Sequence, residues 1–263
     1  MRYLKLNYTF KLNEANRLSI GPMMLMAFTQ AIASLLPGLF LQSGKQLFST
    51  PFILLTFYLV LSNISLTLLR EGHRRHKHIS IPIYGLKLVV SAIFILNFIN
   101  KTTLQFGLLL LIYEVIQLIA YLKSEVYQEM FFFPLMIAIF QGGIFNSFLI
   151  IHPNYELKLT ALLPLSFSVA LWLSVEFLAQ GFYLLNGNKG RFGLYSVGAS
   201  LIAVIISFAF YMTGAFSLLV FFIVLLFIIG LYVILTYFQD NVQQLFSMTI
   251  MTIIIEIVFY IQF

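Results

Sequence analysis

From residue 20 onward the chain is a succession of uninterrupted apolar runs of about twenty residues, joined by polar connections of four to ten residues. This pattern constrains the fold more than any other feature. A hydrocarbon layer about 30 Å thick needs roughly 20 apolar residues per helical crossing. Within it, a helix satisfies its backbone hydrogen bonds internally. Membrane β-strands are shorter and alternate apolar with polar residues, which these runs do not. The expected fold class is all-α, a polytopic membrane helical bundle of about nine transmembrane helices.

The runs lie near 20–40, 51–69, 81–99, 104–122, 130–151, 159–185, 193–212, 216–236 and 245–262. Residues 1–19 are too polar for the core of a signal peptide and read as an amphipathic cytoplasmic lead-in. With 61% hydrophobic and 9% charged residues, nothing suggests a separate soluble domain, so 1–263 is one integral membrane domain. Cysteine is absent, which excludes disulfides, thiolate zinc sites and a cysteine nucleophile.

The net charge of +6 points to membrane orientation rather than to nucleic acid. With the N-terminus cytoplasmic and every run crossing, twelve cations fall inside, among them Arg70, Arg74, Arg75, Lys87, Lys189 and Arg191. Only Lys45, Lys101 and Lys158 fall outside. This bias supports nine crossings and an external C-terminus. The short connections and the absence of a targeting segment lean towards a bacterial plasma membrane.

Polar side chains inside apolar runs are costly and mark the bundle interior. Asn63, Thr67 and Glu71 recur at i, i+4 and i+8, on one helix face, and lead into the basic stretch 70–78 (REGHRRHKH). Glu176, Gln180 and Tyr183 form a second stripe, leading into the loop 186–192 (NGNKGRF). Glu114 and Gln117 form a third, with Glu125 and Glu129 beyond it; Gln141, Asn146 and Glu256 are scattered, Glu256 near enough to a span end to reach water. The amides and threonine also suit plain interhelical hydrogen bonding. Glu114 and Glu176 each require a partner, a proton or a cavity. The histidines at 73, 76 and 78 stand among four cations, which suits lipid headgroups or a phosphate better than a metal. Gly142, Gly143 and Gly181 suit close helix packing. Six of the seven prolines lie near span ends, and no paired mid-span break of the transporter type stands out.

Nine spans, an inner N-terminus and polar motifs at the cytoplasmic ends of the second and sixth spans together resemble the UbiA superfamily of intramembrane prenyltransferases. That family carries N-x-x-x-D-x-x-x-D in the first motif; here Asn63, Thr67 and Glu71 occupy the same spacing. Its second motif, D-x-x-x-D before a basic glycine-containing loop, is matched in place by Glu176 and Gln180, with Phe182 and Asn186 fitting the register equally. The resemblance implies a cavity open to the cytoplasmic leaflet, with Asn63, Thr67, Glu71, Arg74, Arg75, Glu176, Gln180, Lys189 and Arg191 binding substrate. It implies a membrane lipid partner, specifically a prenyl diphosphate or a quinone precursor, and Mg²⁺ as cofactor if the protein is an active transferase.

The chain departs from the family where the metal chemistry sits. Its single aspartate is Asp240, so Glu71 and Glu176 are the only carboxylates left at the two motifs. Mg²⁺ is a hard cation that prefers several oxygen ligands, and two separated glutamates hold a two-metal diphosphate cluster poorly. The expectation is therefore a UbiA-like protein handling an isoprenoid or quinone-type lipid, a diverged or catalytically inactive prenyltransferase, with enzymatic activity left open. The alternatives are a transporter or permease subunit with a polar path through the bundle, or an anchor for another protein.

Overall fold

The computed structural model describes residues 20–42, 49–74, 79–122, 130–151, 162–183, 189–234 and 241–263, with the side chains of 20, 22, 73, 74, 183, 189, 241 and 242 set aside. The amphipathic lead-in, Arg75, Glu125, Glu129 and Asn186 lie outside the described residues. Everything described is helix or short turn, and no strand occurs among these residues.

The elements in order are α1 (Ile20–Ala33), α2 (Leu36–Leu41), α3 (Thr50–Arg74), α4 (Ile81–Lys101) and α5 (Leu104–Leu122). They continue with α6 (Phe132–Ile139), a π-helical turn (Phe140–Ile144) and α7 (Phe145–Ile151). The chain ends with α8 (Leu165–Tyr183), α9 (Lys189–Met212), α10 (Leu218–Ile234) and α11 (Asn241–Tyr260). Taking α1–α2 and α6–α7 as single bent crossings, eight helical segments are long and apolar enough to span a membrane. The remaining one, α10, is apolar but only 17 residues long. The chain is an integral membrane protein of the all-α class.

The packing is that of a protein whose solvent is lipid. Exposed positions are filled by residues such as Phe57, Leu86, Leu108, Leu194, Ile205 and Leu226, while glutamates, asparagines, glutamines and serines are buried. Helix α8 is the axis: 78% of its membrane-length window is buried, against 28% for α4. It packs on α3, α6, the π turn, α9 and α11. Around it one apolar core joins α1–α7 through Tyr58, Phe98, Tyr113 and Phe145, and a second joins α8–α11 through Phe167, Val224, Leu245 and Phe259.

Two crossings are broken, although the sequence shows no paired mid-span break of the transporter type. The first breaks at Ser34–Leu35, and Pro37 then sits in the first turn of α2, where its missing N–H costs nothing. The fifth holds the π turn, which carries one residue more than an α turn and so frees backbone carbonyls. Asn146 serves both breaks. Its Nδ2 donates to Ser34 O at 2.9 Å, Gln141 O at 3.0 Å and Gly142 O at 3.2 Å, and its Oδ1 accepts from Gly38 N at 2.8 Å. At Gly142 a Cβ would lie 2.7 Å from Val169 Cα and N, so only glycine lets the π turn rest on the α8 backbone.

Other boundaries shift for physical reasons. Helix α3 runs past residue 69 to Arg74, with Arg70 and Glu71 buried. Helix α8 begins after Pro164, which cannot donate to a preceding turn. Lys189 and Arg191 are helical, within α9, rather than in a loop. Four hydroxyls tie the last spans together: Ser174 of α8 lies 3.0 Å from Ser196 and 2.7 Å from Ser200 of α9. Tyr232 of α10 lies 2.9, 2.7 and 3.2 Å from Ser196, Ser200 and Ser174.

Candidate functional site

Asn63, Thr67, Arg70 and Glu71 of helix α3 are buried in the bundle, while Leu61, Ile64, Ser65 and Leu68 line the side towards α4. Asn63 is buried; its Oδ1 accepts from Gln141 Nε2 of the π turn at 3.0 Å, and its Nδ2 reaches Ala27 O of α1 at 3.5 Å. Thr67 is buried and donates back to Asn63 O at 2.9 Å within its own helix. One turn further on, Arg70 donates to Glu176 Oε2 of α8 in an ion pair. Both side chains are almost wholly inaccessible, at 1% and 0%. Glu71 and Gln180 are buried in the same layer, and each has a polar or charged interaction of its own.

Arg70 is the buried charge whose place the sequence does not give away. Counted there among loop cations, it is a buried member of α3 and the partner of Glu176. The signal was present: Arg70 follows Asn63 by seven residues and Thr67 by three, which is the same helical stripe. The pair matters electrostatically because a buried carboxylate without a counter-charge is destabilising at such depth. Two atoms remain without hydrogen-bond partners, the donor Arg70 Nε and the acceptor Glu176 Oε1.

Asn63, Thr67, Glu71, Glu176 and Gln180 are thus all buried on α3 and α8, and the ion pair Arg70–Glu176 links the two helices. Arg191 is exposed on α9. Arg74 and Lys189 are helical, but their side chains are outside the described set, as is the whole of Arg75. As for Mg²⁺, Glu176 is already engaged by a guanidinium, which leaves Glu71 as the nearest carboxylate on α3. No group of three or more His, Asp or Glu capable of holding a metal occurs among the described residues. That donor set does not fit a two-metal diphosphate site.

A second buried ion pair lies elsewhere. Lys87 of α4, also counted as a cytoplasmic cation, is 6% exposed; it pairs with Glu114 and donates to Gln117 Oε1 at 2.9 Å, both on α5. With Arg70 and Lys87 buried in ion pairs, the cation asymmetry expected from the sequence falls to ten against three. Glu256 does not reach water: it is fully buried on α11 and accepts from Ser168 Oγ at 2.7 Å.

Comparison with protein-family models, with curated proteins and with solved structures gives no match to this chain.

Proposed function

We propose that this protein is a UbiA-like membrane protein that handles an isoprenoid or quinone-type lipid, as a diverged or catalytically inactive prenyltransferase. It sits in a bacterial plasma membrane with nine crossings, α10 included, its N-terminus cytoplasmic and its C-terminus outside. One observation carries the reading: the polar stripe of the second crossing meets that of the sixth through Arg70 and Glu176. Motifs placed like those of the prenyltransferase family therefore converge, with an arginine where that family uses metal-bound carboxylates.

The chemistry follows from the residues present. A guanidinium is a fork of donors suited to phosphate oxygens. Arg74 and Arg75, which follow Arg70 in the sequence, supply positive charge to a diphosphate without a metal cluster, because Arg70 itself is already neutralised by Glu176. Arg70 Nε is a donor still to be satisfied, and Glu176 keeps the arginine in place. Such a site holds a prenyl diphosphate but lacks the metal ions that neutralise the leaving group, so binding without efficient transfer is the outcome it favours.

The test is binding and turnover of a radiolabelled prenyl diphosphate by purified protein in lipid nanodiscs, with and without Mg²⁺. The expected result is saturable binding that survives chelation, no transfer to an aromatic acceptor, and about tenfold weaker binding in the Arg74→Ala/Arg75→Ala variant. Transfer would make the protein an active enzyme. Absence of binding would sink the reading and favour a permease subunit, for which the broken first and fifth crossings, joined by Asn146, are the supporting observation.

A further inference from the structure

Glu114 faces Lys87, and Glu176 faces Arg70. Glu256 of α11 is buried as deeply, yet no cation pairs with it among the described residues. Its Oε1 accepts from Ser168 Oγ of α8 at 2.7 Å, and its Oε2 has no hydrogen-bond partner. The indole of Trp172, one turn along α8, approaches the same carboxyl without completing a hydrogen bond.

The surrounding helices have no counter-charge to give. Those chiefly packed on α11 are α1, α2, α8 and α10. None of the four contains Lys, Arg or His. Their one charged group is Glu176, about 12 Å along α8 from Ser168 and already paired with Arg70. Helix α9 meets the end of α11 through Phe210, about 28 Å along its axis from Arg191. The fifth crossing, whose Ala138 packs with Trp172, carries no charged residue. The other titratable groups on these elements are tyrosines: Tyr232 of α10 is held by Ser174, Ser196 and Ser200, and Tyr260 follows Glu256 by one turn.

A carboxylate left unpaired in a bilayer interior is strongly disfavoured, so Glu256 takes up a mobile cation. A metal ion needs several oxygen ligands, and these are scarce here. Thr249 and Thr252 turn their hydroxyls back to Leu245 O and Met248 O of their own helix. A proton needs one oxygen, and Oε2 is open. The neighbouring donors, Ser168 and Trp172, suit the ionised form, whereas burial without a counter-charge suits the neutral form. Each form thus has support, which makes the proton exchangeable rather than permanent.

The way out is short. Tyr260, one turn on, ends α11, and Ile261 to Phe263 are exposed. The Tyr260 hydroxyl donates to Pro164 O at 2.8 Å and interacts with Ser168, so Ser168 neighbours both Glu256 and the end of the bundle. Rings close that end: Phe259 stacks on Phe167 at 3.9 Å and meets Phe210, Phe216 and Phe263.

We propose that Glu256 is a reversible proton-binding site, taking up the proton at Oε2 and exchanging it with water at the end of the bundle where α8 begins and α11 stops. Loading adds one proton to a carboxylate oxygen, emptying returns it to water, and no other bond changes. The site shares no residue with Arg70 and Glu176, so it goes beyond the function proposed above and stands whether or not they bind a diphosphate.

The experiment records infrared difference spectra of the full chain in lipid bilayers while the pH of the bathing solution is cycled between acid and alkaline. A C=O band of a protonated carboxyl is expected that fades at alkaline pH, returns on acidification and moves to lower frequency in D₂O. Glu256→Gln should remove it. Ser168→Ala, which keeps the carboxyl and takes away its donor, should move it to higher frequency, and this variant carries the assignment if Glu256→Gln does not fold. A Glu256 band that no pH removes would mean a permanently neutral, structural acid. No such band at any pH would mean that another cation holds the carboxylate. Bands that the variants leave unchanged would belong to other carboxyls. Each of these three results would overturn the proposal.

Discussion

The two buried ion pairs solve one problem in different surroundings. Arg70 and Glu176 are 106 residues apart in sequence and join α3 to the central helix α8, where neither side chain is accessible. Lys87 and Glu114 are 27 residues apart and join two successive peripheral helices beside an open cleft. The first pair fixes which helices are neighbours across the bundle. The second pair joins helices that their short connection already brings together, so its charges are available for something other than topology. The residue types agree with this division: a planar guanidinium holds a fixed geometry, and an ammonium on a flexible stem leaves a donor to spare.

That contrast is open to attack. Its largest expected signature is at the centre: Glu176→Gln strands a buried guanidinium and should cost about 3–5 kcal/mol, read from unfolding of the purified protein in mixed micelles. The double variant Arg70→Met/Glu176→Leu should recover most of that loss. A single variant as stable as the parent would mean the pair does not pin α3 to α8. Next comes Lys87→Met, expected to cost about 2.5–3.5 kcal/mol in the same assay, since it leaves Glu114 uncompensated at bilayer depth. A cost equal to that of Glu176→Gln would erase the distinction between a central and a peripheral pair.

Gly142→Ala probes how the central pair is seated. The added methyl would meet Val169 backbone atoms at 2.7 Å and push α8 off the π turn. The expected loss is about 1–3 kcal/mol, with a lowered thermal midpoint. The smallest effect belongs to the neutral counterpart of the pairs: Tyr232→Phe should cost only about 0.6 kcal/mol, a usual size for an interhelical hydrogen bond in a membrane. A loss of several kcal/mol there would show the hydroxyl cluster to be as structural as a charge pair.

Much of this was legible in the residues. Run length alone announces the helices, and the inward stripe Asn63–Thr67–Glu71 marks the correct side of α3 because polar groups avoid lipid. The partners were not legible. Arg70 and Lys87 read as cytoplasmic cations because each lies at the cytoplasmic end of its run, and a linear count cannot tell a cation that snorkels outward from one that turns in to meet Glu176 or Glu114. The π turn was hidden as well. Its glycines suggest close packing, but the extra residue shows only in the carbonyls that Asn146 collects, one of them from the first crossing.

The hydroxyl cluster of Ser174, Ser196, Ser200 and Tyr232 has a consequence in proton order. Four hydroxyls make five close contacts but carry only four protons, so one contact is not a hydrogen bond. The longest, Ser174 to Tyr232 at 3.2 Å, is the diagonal of a four-membered ring. Around that ring the protons can circulate in either sense, and reversing the sense turns every O–H without displacing a heavy atom. Three helices are thus joined at a point that is fixed in shape and reversible in polarity.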